Sequence, residues 1–592
     1  MRSSSICRRL SGVALLALAL HGGVASAAAP PVVAAALEVD RAVRRADPVP
    51  DAVPVYLSMQ AEDLTLREVS ISVDAQPFRQ YRYSDAQSAA LQAGASHRLG
   101  ALPNVPGTHA VSVELVARKV GASAVAPRVV QRFKADISYT GTAPAVLIEW
   151  SGGGMFSGAD TQLRVVAADA SYRARHARFL QASGWPLLAV FEYDAARPLA
   201  AADALAAAEL MQSFGLAGAA PLPAAADPAA AGAAAVPATG RASVQRYNAA
   251  LAMLAAGDTG QGMAELEALA GTEWTDAASM ALRDLCNLTL GYRYLHQREA
   301  EAAVEAFRRV RSPGPYSDRA LLGLGWAYVL PVGAGAEREV DDSLWVGRGE
   351  DGVQARRRMP FRYAWSVAGG ERAEDLRQAL VPWTELIGGD PLSVAVQEGM
   401  LALPYLMWHL GAHEQAQRYA LRAVDALEQT HAQLDQASTH VRSGALLAAL
   451  FDAPASAPAD DWSWHLARLQ YDDDTAYLQA LLTDTAFTAA LDRLRQLHAV
   501  RSVLTADRVR AGRAAAADAG LQRSLDHAEA ELARSADAAA QQLQQAALSV
   551  LTRLQQRATA YLVEAHFALA SRYDLGPDPQ LAAAEPSAEM QP

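Results

Sequence analysis

Histidine, cysteine and carboxylate side chains are the groups that bind metals and move protons, and in this chain they are scattered. His97 and His109 stand twelve residues apart with no third ligand nearby, so both read as strand-surface residues and not as a metal pair. Asp472-Asp473-Asp474 offers oxygens to calcium, yet consecutive carboxylates also suit the positive end of a helix dipole, and the run reads as a helix start. His413-Glu414 lacks the second histidine of a zinc helix. Ser151-Gly152-Gly153-Gly154 follows a strand without helical character after it, which favours a flexible joint over an anion cradle. The sequence motifs of zinc and serine hydrolases, phosphate-binding loops, dithiol sites and calcium loops are all missing. The expectation is therefore a protein that is not an enzyme, with no catalytic residues, no metal and no cofactor.

Binding chemistry is concentrated in one stretch. Residues 331–370 carry Trp345, Phe361, Tyr363 and Trp365 together with Arg348, Arg356, Arg357, Arg358 and Arg362, and their glycines forbid a regular helix. Aromatics and arginines are the residue types enriched at binding hot spots. Two readings are open: the aromatics fold back as a local plug with the arginines solvated, or Trp345, Arg348, Arg356, Arg358, Phe361, Tyr363 and Trp365 form a surface for a partner. A protein partner is the first expectation and a glycan such as peptidoglycan the alternative; a small-molecule ligand is not expected.

The elements flanking this stretch repeat. From Asp284 to about Ser317 the chain reads Leu290-Gly291, Tyr294, Ala303, Phe307 and Pro315, and Leu324-Gly325 with Tyr328 recur 34 residues after Leu290-Gly291 and Tyr294. Each type has a packing reason: glycine lets two helices approach, Ala303 sits where helices cross, Phe307 fills a gap and Pro315 stops a helix. These residues resemble the tetratricopeptide pattern of 34 residues, with Asn287 in place of its tryptophan. Ala379, Trp383, Leu386 and Pro391 have the spacing of the closing helix for the Leu324 unit, displaced by the insertion. Further hairpins are expected at Tyr247–Leu269 and Met400–Ala423.

The remaining domains follow from period and composition. Arg2, Arg8 and Arg9, an apolar run from Leu10 to Leu20 and Ala25-Ser26-Ala27 read as a signal peptide over 1–27, with the twin-arginine route as a lesser alternative. Cys7 precedes the apolar run, so a lipoprotein is not expected, and Cys286 alone remains as a buried core thiol unable to form an intrachain disulfide. Residues 28–50 read as a flexible segment. Alternation at Val69-Ile71-Val73 and Val111-Val113-Leu115 predicts strands, and 51–150 is expected to form an immunoglobulin-like β-sandwich. Degenerate helical hairpins are expected over 160–217, an Ala/Pro linker over 218–242, repeats over 243–330 and again over 371–470, a long helical hairpin or coiled coil over 474–575 and a disordered tail over 576–592. The fold class is thus multidomain: a sandwich, an all-α tetratricopeptide-like solenoid and a long C-terminal helical hairpin. No stretch after the signal is apolar enough to span a membrane, and a net charge of −12 argues against nucleic acid.

Beyond the signal the chain also resembles periplasmic tetratricopeptide proteins of Gram-negative bacteria, on Leu321-Leu322-Gly323-Leu324-Gly325-Trp326, Asp390-Pro391 with Val396-Gln397-Glu398, and Tyr561-Leu562-Val563-Glu564-Ala565. That resemblance implies a soluble periplasmic scaffold gripping protein partners of the cell envelope, beside TonB/Tol-type motors or gliding-motility machinery.

Overall fold

The computed structural model describes residues 31–46, 52–61, 64–119, 128–139, 144–151, 160–167, 169–216, 238–272, 277–329, 373–451, 477–513 and 519–574. The expected signal peptide, the Gly152-Gly153-Gly154 joint, most of the 218–242 linker, the 331–370 insertion, Asp472-Asp473-Asp474 and the tail fall outside them.

The first element is helix α1 (Pro31–Ala46), where a flexible segment was expected. Its Val32, Val33, Ala36, Leu37, Val39 and Val43 are all buried. Their three- and four-residue spacing makes one apolar face, and Arg44 and Arg45 close the last turn where the dipole favours cations.

Eight strands follow: β1 (Ala52–Met59), β2 (Leu64–Val73), β3 (Gln76–Arg82), β4 (Ser96–Pro103), β5 (Gly107–Lys119), β6 (Val129–Tyr139), β7 (Pro144–Ser151) and β8 (Asp160–Ala167). They form two four-stranded sheets, β4-β1-β7-β8 and β3-β2-β5-β6, around one apolar core. This corrects the immunoglobulin-like expectation. β1 runs parallel to β7, with Val55 opposite Val146. Helix α2 (Asp85–Gln92), capped by Ser84 and Gln87, interrupts the strand series. The eighth strand occupies residues read as helical. Alternation reports that one face of a strand is buried, but it is the same for parallel and antiparallel neighbours, so it could not order the sheets.

The rest of the described chain is helical: α3 (Ala170–Ala182), α4 (Pro186–Ala195), α5 (Ala201–Ser213), α6 (Ala238–Ala256), α7 (Thr259–Ala270), α8 (Ala277–His296), α9 (Ala300–Arg308), α10 (Ser317–Val329), α11 (Ala373–Leu386), α12 (Val394–His409), α13 (His413–Arg442), α14 (Ala445–Phe451), α15 (Leu478–Leu482), α16 (Thr485–Arg513) and α17 (Ala519–Asp574). The turn between α3 and α4 needs Gly184, whose φ of +79° is left-handed. From α6 to α13 each helix packs on the next, with α8 also touching α10 and α10 touching α12.

The long C-terminal helices expected over 474–575 are α16 and α17, which pack on each other and on the rest of the helical half. α16 and α17 share one core with α1, with α3 to α5 and with the C-terminal half of α13. α17 then continues into a second core formed by α8 to α13, contributing Ala565 and Leu569. Its buried apolar residues run from Leu525 to Leu569 along a helix of 56 residues, about 84 Å, long enough to serve both. No helix among the described residues is long and apolar enough to cross a membrane.

Candidate interaction surface

The residues expected to repeat every 34 positions lie on α8 to α11 and pack those helices together. Phe307 of α9 is 2% exposed and lies between two glycines of neighbouring helices. A Cβ on Gly291 of α8 would sit 2.5 Å from Phe307 Cε1, and a Cβ on Gly323 of α10 would meet the same ring more closely still. Tyr292 adds an edge-to-face ring at 5.1 Å, its hydroxyl donating to Arg319 O at 2.8 Å. Ala303 is fully buried in this cluster and Leu290 in the adjoining one.

Gly325 seats a different aromatic. It lies against the indole of Trp383, which α11 delivers after the insertion. Trp383 is fully buried and donates to Leu322 O at 3.2 Å. Trp326 packs edge-on at 5.1 Å and donates to Glu398 Oε1 at 3.0 Å, tying α10 to α12. Ala379 is buried beside them. Leu324 and Tyr328 are half-buried, the Tyr328 hydroxyl accepting from Arg308 at 2.8 Å. Tyr294 donates to Glu267 Oε1 at 3.1 Å, reaching back to α7. Pro315 lies in the turn between α9 and α10, and Pro391 between α11 and α12.

Val329 and Ala373, the described residues bounding the insertion, are therefore ends of two helices packed directly on each other. Trp345, Arg348, Arg356, Arg358, Phe361, Tyr363 and Trp365 themselves lie outside the described residues.

The polar groups inside the stack serve packing. Asp284 is fully buried and takes a 2.6 Å bond from Arg311 Nε, with Arg283 at 3.5 Å. Asn287, at the tryptophan position of the repeat, donates to Arg283 O at 3.1 Å while its Oδ1 is buried without a hydrogen-bond partner. Burial pushes the Cys286 thiol up to about 12, which keeps it protonated and inert.

A second cluster escaped the sequence reading. His97 is not a strand-surface residue: it is fully buried, accepts or donates at 2.9 Å with Tyr83 Oη, and stacks on Phe179 at 4.3 Å. His176 of α3 stacks behind it and receives the Arg98 backbone N–H at 3.2 Å. Beside them Glu192 of α4 bonds Arg98 at 2.9 Å, with Arg173 at 4.0 Å. Burial pushes the Glu192 carboxyl up, but Arg98, Arg173, His176 and Arg44 override it and hold the group at about 2. The Arg98–Glu192 ion pair and the His97–Phe179 stack fasten α3 and α4 to the sheet. The available signal was Tyr81 and Tyr83, aromatics at alternate positions, with His97 on a strand of the opposite sheet. His109, by contrast, stands at the rim, bonded to Asp74 at 2.8 Å.

Among the described residues no three His, Cys, Asp or Glu side chains converge as metal ligands. An open cleft of about 540 Å³ between α13 and α17 is lined by His431, Thr552, Gln555, Gln556 and Thr559. No family model, no curated protein and no solved structure matches this chain.

Proposed function

We propose that this protein is a non-enzymatic scaffold of the Gram-negative periplasm that binds partner proteins of the cell envelope through its tetratricopeptide-type hairpins, with the 331–370 stretch as the gripping segment. The observation that carries the reading is the junction of α10 and α11. Gly325 and Trp383 close it tightly, so the aromatic and arginine-rich stretch leaves and rejoins one rigid helix pair. A binding segment anchored at both ends on a packed stack loses less freedom on engagement than a free tail, which favours affinity. The arginines concentrated at 348–362 favour a partner presenting carboxylates, and the aromatics among them favour apolar side chains. The signal-like first 27 residues support export.

The test is affinity capture from envelope extract with the full mature chain, comparing wild type with a W345A/W365A double variant. One defined protein retained by wild type and lost from the variant is the expected outcome. Equal recovery by both proteins, or retention on purified peptidoglycan instead, contradicts the assignment.

A further inference from the structure

The most unusual polar arrangement among the described residues lies where α1 docks on α16, at two buried acids that face each other. Asp40 of α1 is 6% exposed and Asp507 of α16 is 2% exposed. Arg44 reaches Asp40 at 2.7 Å but divides itself with Asp194 of α4 at 2.8 Å. Arg510 stands 3.8 Å from Asp507 Oδ1. Asp507 Oδ2, the oxygen left over, is buried and finds no donor. Two ionised carboxylates are acceptors only, so neither can satisfy the other; one proton between them supplies the missing donor and removes one like charge.

We propose that the Asp40–Asp507 pair makes α1 a proton-operated strap: a proton held between the two acids fastens α1 onto α16 and α17, and its loss loosens the helix without unfolding the protein. The facing groups are Arg41 and Arg44 on α1, Glu192 and Asp194 on α4, and Asp507 and Arg510 on α16. On α17, Asp526 and Glu529 are held by Arg508.

Burial pushes both acids up, Asp507 to about 7, against the pull of Arg44 and Arg510. A docked acid raised above its free value takes up a proton on docking. Attachment is strongest below the free value near 4 and weakens about tenfold per pH unit until the docked pair itself ionises near 7, above which it is level. Asp194 acts oppositely: Arg41 and Arg44 draw it down against burial, so its contribution disappears only in stronger acid. His498, further along α16, is held down to about 4 by burial and by Arg501, and weakens the α16 packing as pH falls. Both oppose the pair, so a neutral replacement within the pair isolates its effect. A periplasm that follows external pH would set the strap directly.

Amide hydrogen exchange of residues 31–46 in the full mature chain, corrected for intrinsic base catalysis, reads the docking equilibrium. Wild type is expected to lose about 50-fold of protection between pH 5 and pH 7 and to level above. Asp507→Asn should remove that fall, and Asp40→Asn provides the reciprocal variant if the first does not fold. A flat wild-type profile, or the same slope persisting in a folded variant, overturns the proposal.

Discussion

Gly291, Gly323 and Phe307 show how one ring can set the distance between three helices. Because a Cβ at Gly291 has no room against Phe307, Gly291→Ala is expected to cost about 1–3 kcal/mol in denaturant unfolding through overpacking, and an unchanged midpoint would contradict the close approach. Cys286 gives a second reading at this scale. A thiol raised to about 12 by burial should resist a disulfide reagent at pH 8 in the native protein and react within minutes once unfolded; prompt native labelling would disprove its burial. The positions of Leu290-Gly291, Ala303 and Phe307 were legible in the sequence because each packing demand admits few residue types. Gly323 was not, since Leu-Gly-Leu-Gly offers two glycines and the 34-residue spacing selects Gly325, whose neighbour is Trp383. His97 was misread because a histidine in a strand gives no sign of which face it occupies until the opposing helix is known.

At the scale of elements, α1 was the least legible. α1 has a clear apolar face in a segment read as flexible, and that face alone does not say which distant core covers it. Its docking is ionic as well as apolar: Arg41 and Arg44 both bond Asp194, whose side chain is 4% exposed. Arg44→Ala leaves Asp40 and Asp194 buried with one cation fewer, and an expected loss of about 3 kcal/mol follows from stranding them. A loss within 0.5 kcal/mol in chemical denaturation would show the network to be slack. The strands were legible as strands, yet the parallel β1–β7 pairing was not, because pairing depends on which segments meet across the core and not on either pattern alone.

For the whole molecule, α17 matters most, since it lies in the cores of both helical groups. Leu551 is fully buried on it, and Leu551→Ala is expected to lower global stability by about 2–5 kcal/mol. With a shared helix, exchange protection should fall in α1 and α16 together with α11 and α12; a fall confined to one group would show the two to be independent. That α17 serves both cores was not legible, because sequence patterns reveal which face of a helix is apolar and say nothing of which distant segment covers it. The functional account rests on the stretch bounded by α10 and α11, and site-specific photo-crosslinking in living cells tests it most directly. A photoreactive residue in place of Trp345 or Trp365 should yield the same single protein adduct, and one in place of the exposed Gln80 of β3 should not. No adduct at either tryptophan position, or the identical adduct from position 80, would contradict the scaffold reading.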